Sequence, residues 1–207
     1  MSPAFVLEPT YNALRRRLIN GEWMGGHRLE AQKLAEELGV SMTPVRDSLH
    51  RLVGEQLVDG LSGQGFKVPM LDEQALTELY FWRATLLAIA IEQRVTTKDN
   101  ASAVPDFVAE TSELGPLIFD AIAMQTGNRE LAGAVQSASA RLARFRWAET
   151  QALSNTGSEL ERLKSAWRHG SLSALKQAVA DYHDRRISAV SSIAEIGNMP
   201  RQQERKP

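Results

Sequence analysis

The chain has no cysteine, which excludes a disulfide framework and any thiolate metal site. It has no apolar run approaching the roughly 20 residues that cross a bilayer. Its start, Met1-Ser2-Pro3-Ala4-Phe5, lacks the basic segment and apolar stretch of an export signal. A cytoplasmic location without a membrane partner is the expectation. Neither sign of charge dominates: 24 Lys and Arg face 25 Asp and Glu. Even residues 1–70 balance. Arg15, Arg16, Arg17, Arg28, Lys33, Arg46, Arg51 and Lys67 oppose Glu8, Glu22, Glu30, Glu36, Glu37, Asp47, Glu55 and Asp59. A broad basic patch is therefore missing, and any nucleic-acid contact has to rest on a few local cations. Catalytic signatures are missing as well. There is no G-x-S-x-G elbow, no P-loop and no G-x-G-x-x-G after a strand, and His27, His50, His169 and His183 are scattered. The expectation is a protein that is not an enzyme and carries no cofactor. No internal repeat or low-complexity block is present.

What is there is a soluble, globular composition, 43% hydrophobic and 24% charged, in 207 residues, enough for one large domain or two small ones. The pattern is sharpest over residues 29–68. Leu34, Ala35 and Leu38 share one helical face, and Gly39 can end that helix in the left-handed conformation. A second helix starts almost at once. Thr43 can cap it with Pro44 in the first helical position, and Ser41 is the competing cap. Val45, Leu49, Leu52 and Val53 form its buried stripe, leaving Arg46, Asp47, His50 and Arg51 outside. Leu57-Val58-Asp59-Gly60 and Phe66-Lys67-Val68 then read as two short strands around a glycine-rich tip containing Gln64 and Gly65. Two short helices, a tight turn and a hairpin fit a winged helix-turn-helix. Spacing alone also fits a helical hairpin followed by a loop.

The stretch KLAEELGVSMTPVRDSLHRLVGEQLVDGLSGQGFKV closely resembles the winged domain of GntR-type bacterial transcription regulators. These typically read LAxxLGVSRTPVRxALxxLxxxGLV and then a G-x-G wing. The resemblance covers residues 10–70. It implies double-stranded DNA as a partner, with contacts carried over to Ser41, Thr43 and Arg46, and to Gln64 and Gly65 at the wing. Gln32, Met42, His50 and Arg51 join them as candidates. The sequence departs from the family at Met42, where Arg is usual, and at Gln32 and Gln64, where relatives often carry Arg. Fewer cations imply weaker salt dependence, and Met42 implies a shifted base preference at the pair it faces.

In the rest of the chain, residues 1–9 read as a loose arm and 10–21 as a first amphipathic helix. Gly21, Gly25 and Gly26 mark its exit, with Trp23 plugging the small core. Pro69-Met70-Leu71 is a hinge, and Asp72 caps a helix running to about Val95. Its ALTELYFWRATLLAIAIEQ resembles the first helix of the FCD effector domain of FadR-type GntR regulators, and QTGN at 125–128 matches that family's ASGN turn. Helices are expected near 105–113, at 116–125, from Asn128 to about 151, at 158–168 and at 171–194. The fold class is therefore mostly α: a winged helix-turn-helix domain over 1–70, then an all-α antiparallel bundle over 71–200, with a disordered tail at 201–207.

Many FCD domains bind a divalent metal through one Asp and three His. Here those positions fall at Pro116, Asp120, near Leu160, and at Tyr182 or His183, so no metal is expected. A pocket lined by Arg83, Asp120 and His183 can persist without it. Arg83 sits on an apolar stripe, where a guanidinium is costly unless it meets an anion. Pairing with Asp120 or a neighbouring Glu satisfies that need as well as an effector does. The resemblance implies a homodimeric regulator of a palindromic operator, modulated by a small-molecule effector, a carboxylate by preference. The alternative is a constitutive DNA-binding dimer with a vestigial pocket.

Overall fold

The computed structural model describes residues 4–61, 65–93 and 111–199. The winged part opens with α1 (Ala4–Ile19), followed by β1 (Arg28–Leu29), α2 (Ala31–Leu38), α3 (Met42–Gly54), β2 (Asp59–Leu61) and β3 (Gly65–Lys67). Gly39 ends α2 at a φ of 66°, as its position after an amphipathic run predicts. The cap of α3 is Ser41, in extended conformation, so Met42 is the first helical residue and Pro44 the third. That corrects the expectation of Thr43 as cap with Pro44 in the first helical position, in favour of the competing Ser41. The Ser48 hydroxyl donates to the Pro44 carbonyl at 2.7 Å, inside the helix.

α1 begins at Ala4, not at residue 10. It keeps Pro9 inside, so one backbone donor is missing from its ladder. One long-range and one local side-chain contact hold this early turn. Glu8 pairs with Arg51 at 2.8 Å, and Thr10 is buried with its hydroxyl on the Val6 carbonyl. Tyr11, Leu14, Leu18, Leu34, Leu49, Leu52, Val58 and Val68 form one core, with Trp23 packed against it. The three strands pair antiparallel in the order β1-β3-β2, with Arg28 opposite Lys67 and Gly60 opposite Phe66. β1 lies in what reads from the sequence as an exit loop. Two residues are too few to show a period of two, and only its pairing with β3 defines it.

The helical part comprises α4 (Glu73–Gln93), α5 (Thr111–Met124), α6 (Arg129–Ala143), α7 (Arg146–Ala152), α8 (Thr156–His169), α9 (Leu172–Ser188) and α10 (Val190–Asn198). Three starts carry side-chain caps of 2.8–3.1 Å: Asp72 on the Ala75 N–H, Asn128 on that of Leu131, and Ser171 on that of Ala174. α4 is the central helix. One end joins Leu76, Leu79 and Tyr80 to Phe145 and Ile193, and the other joins Leu87 and Ile91 to Ile122, Leu163 and Val179. Two helices expected to be continuous are broken, at Arg144–Phe145 and at Ala189. Neither break has a proline or glycine. At the first, fully buried Phe145 lies in the space a side chain at Gly197 would need, so packing between α7 and α10 sets the bend. α5 starts at Thr111, ahead of the expected 116. Most of the helix expected near 105–113, and the tail at 201–207, lie outside the described residues. Among those residues, no helix is long and apolar enough to cross a membrane.

Candidate nucleic-acid interface and buried polar group

α3 buries Val45, Ser48, Leu49 and Leu52, and this fixes what faces out. Met42, Arg46 and His50, four apart, form one exposed stripe, with Ser41 and Thr43 exposed at its start. Met42 is 43% exposed, high for so large an apolar side chain at a helix start. His50 meets the wing. Its ring stands edge-on to Phe66 of β3, centroids 4.9 Å apart at 79°. This contact ties the helix and the hairpin into one surface. Gly65 is exposed at a φ of 84°, a conformation open to glycine, while Gln64 lies outside the described residues. Gln32 is exposed on α2, where its amide donates to Glu36 at 3.3 Å.

Arg51 is placed differently from Arg46. Its guanidinium stacks 3.6 Å over the Tyr11 ring and pairs with Glu8 at 2.8 Å, so it serves the joint between α1 and α3. Other cations are also engaged. Arg15 pairs with Glu55, Arg17 with Glu22 and Glu37, and Lys33 with Glu30, all within 3.1 Å. Among the described residues of the winged part, Arg16, Arg28 and Arg46 have no carboxylate partner. The balanced charge of this region is thus sorted in space. Acids neutralise most of the other cations and leave Arg46 on the recognition face, Arg28 on the adjoining sheet and Arg16 on α1 uncompensated.

The three residues expected around an effector all lie inside the helical part. Arg83 is 3% exposed, and its Nε donates to His183 Nε2 at 3.0 Å. His183 Nδ1 lies 2.7 Å from the Val179 carbonyl, which can only accept. The imidazole is therefore neutral with its proton on Nδ1. Burial, then the Arg83 charge, holds its pKa well below the ordinary value. The Nε2 lone pair a metal would need is the one Arg83 occupies. Asp120 sits within reach of the Arg83 field, and burial raises its carboxyl against that attraction. No hydrogen bond joins the two. Arg83 Nη2 and Asp120 Oδ1 are each buried without a hydrogen-bond partner. Phe119 and Tyr182 line the guanidinium, with ring centroids 4.8 and 5.7 Å away. Among the described residues no group of three or more His, Asp or Glu is placed to hold a metal.

Sequence reasoning missed a second buried cluster beside this one. Arg186 reaches Glu149 at 2.9 Å and Glu159 at 2.8 Å, lies over the Tyr182 ring, and Tyr80 donates to Glu149 at 2.7 Å. A signal existed: Leu175, Val179, Tyr182 and Arg186 recur at helical spacing, so Arg186 falls on the inner stripe of α9.

Comparison with known proteins agrees with this geometry. Residues 8–68 match the model of the bacterial regulatory proteins, gntR family. The HTH-type transcriptional regulator McbR of Escherichia coli is 35% identical over 103 residues, covering 50% of this chain and 44% of that protein. The Nta operon transcriptional regulator of Aminobacter aminovorans is 31% identical over 141 residues, covering 61% of this chain and 66% of that one. The chain thus matches about half to two thirds of the length of these relatives. The solved structure of E. coli McbR/YncC shares the fold, with a TM-score of 0.71 at 21% identity over 89% of this chain and 96% of its own. That span takes in the helical bundle as well as the winged part. The winged helix-turn-helix at residues 8–68 is thus a DNA-binding domain of the gntR family of bacterial regulatory proteins.

Proposed function

We propose that the protein is a DNA-binding transcription regulator of the bacterial cytoplasm that grips a palindromic operator as a homodimer, with a small carboxylate effector tuning its affinity. The observation that carries the reading is the Met42–Arg46–His50 stripe beside the wing, with Arg46 the uncompensated cation on it. Such a face suits the major groove, where a guanidinium reads a guanine edge and Met42 packs on a thymine methyl. Ser41, Thr43, Gln32 and the wing residues Gln64 and Gly65 act as phosphate or edge contacts around it. The domain boundary is placed at Pro69–Leu71.

A homodimer is supported by α4, which leaves Phe81 66%, Trp82 49% and Ile89 40% exposed within two turns. The effector reading is supported by the unmatched pair in the bundle. Arg83 Nη2 lacks an acceptor and Asp120 Oδ1 lacks a donor, and a small hydroxy or carboxylic acid supplies both. One observation favours the constitutive alternative: His183 already takes one Arg83 donor from inside the protein.

Selection of duplexes from a random pool with the full chain, followed by shift assays, tests the reading. A two-fold symmetric site is expected. Arg46→Ala should lose about 1–3 kcal/mol of specific binding. Unchanged affinity in that variant, or a monomer at micromolar concentration in light scattering, would overturn it.

A further inference from the structure

A cleft of about 480 Å³ separates the winged part from the helical bundle. Its floor is apolar, formed by Leu18, Leu57 and Val58 of the winged core. Its opposite wall carries Arg141 and Arg144, at the C-terminal end of α6. Arg144 is anchored by donating to Asn198 at 3.0 Å, and Asn198 donates onward to the Leu71 carbonyl of the hinge at 2.9 Å. Gly25 closes the same junction, since a Cβ there would stand 2.7 Å from the Asn198 side-chain oxygen. Burial draws Arg141 below its ordinary value and Arg144 down to about 10. Among the described residues no carboxylate offsets the burial of Arg141. The lining carboxylate, Asp59, faces Lys67 at 3.9 Å. Gln56, also on the lining, holds a φ of 58°, where a side chain is disfavoured and glycine is not. That turn closes α3, with the Gln56 and Leu57 N–H groups donating to the Val53 and Leu52 carbonyls at 2.9 and 3.0 Å, and it leaves Gln56 on the cleft lining.

We propose that this cleft binds a small organic acid, its carboxylate held by Arg141 and Arg144 with the Gln56 amide beside them, and its apolar body on Leu18 and Leu57. A half-buried guanidinium gains most from an acceptor matched to its fork, which a carboxylate is. The volume is that of a small-molecule site, and the division into cationic wall and apolar floor selects an amphiphilic anion. The site is separate from the Arg83–Asp120–His183 group, and ligand binding there does not depend on DNA. Because its walls belong to the two halves of the chain, an occupant braces one against the other. That consequence for operator binding alone rests on the reading given above.

Calorimetric titration of the full chain with sodium octanoate, and with octylammonium as the cation of the same length, tests the site. Octanoate should bind saturably, one per chain, and octylammonium should not. Arg141→Gln should weaken octanoate at least about tenfold, while Arg162→Gln, exposed on α8, leaves it unchanged. Gln56→Gly, which relieves the backbone, should keep or raise the thermal unfolding midpoint and still weaken octanoate. It carries the test if Arg141→Gln does not fold. Absence of saturable octanoate binding, equal binding of octylammonium, or full affinity in Arg141→Gln or in Gln56→Gly would overturn the site. Loss of binding in Arg83→Gln alone would move the acid into the bundle, overturning this site and leaving the bundle effector intact.

Discussion

In the winged part the ion pairs lie at the surface. Arg17 bridges Glu22 and Glu37 while its side chain and theirs stay 24%, 47% and 51% exposed. In the helical part the comparable triad is interior, with Arg186 2% exposed and both Glu149 and Glu159 at 5%. Each triad is held together by a single guanidinium. Their surroundings make them different devices. Water screens the first, so it chiefly disposes of charge that would otherwise compete with Arg46. The second has given up hydration and depends on a complete set of partners. The same residue types therefore shape a surface in one half and specify a packing arrangement in the other.

Three measurements would break or sharpen this contrast. Arg186→Ala should have the largest effect. It leaves two buried carboxylates without their cation, and denaturant unfolding should show a loss of about 3–5 kcal/mol. A loss below about 1 kcal/mol would mean that water reaches the triad and that the two halves do not differ.

The next effect depends on pH. His183 is neutral in the folded protein, with its pKa well below the 6.5 of a free imidazole. The unfolded chain therefore takes up a proton near 6.5 that the folded chain refuses. This contribution to stability is complete above that pH and is lost as pH falls from about 6.5 towards the folded value. His183→Gln, whose amide oxygen can still accept from Arg83, should flatten the decline in unfolding free energy between about pH 6.5 and 5. Equal slopes for the two proteins would show that the imidazole is open to solvent.

Arg17→Ala should have the smallest effect, below about 1 kcal/mol, although it also removes the guanidinium 4.3 Å over the Trp23 ring. High salt should shrink even that difference, whereas the Arg186→Ala loss should persist.

How much of this was legible beforehand varied from residue to residue. Gly39, Asp72 and Asn128 do what their positions beside amphipathic runs require, and the Met42–Arg46–His50 face is the complement of a readable apolar stripe. Arg83, Asp120 and His183 stand at positions the family resemblance marks, and the structure brings them to one interior. Of the two partners the sequence leaves open for Arg83, a carboxylate or an effector, neither takes its Nε, which donates to an imidazole 100 residues away. Arg51 looks like Arg46 in sequence, and nothing local distinguishes an outward arginine from one that Tyr11 and Glu8 will hold.

The sequence by itself determined the order of helices and hairpin, their capped ends and the exposed face of α3. Caps, periodicity and left-handed glycine positions act within a few residues of each other. The tertiary structure alone decided the early start of α1, the pairing of β1 with β3, the breaks at Arg144–Phe145 and Ala189, the fate of Arg51, and the cleft that joins Gln56 to Arg141. Each of these depends on which distant side chain arrives to bury an apolar surface or complete a hydrogen bond. A local pattern carries no record of that partner.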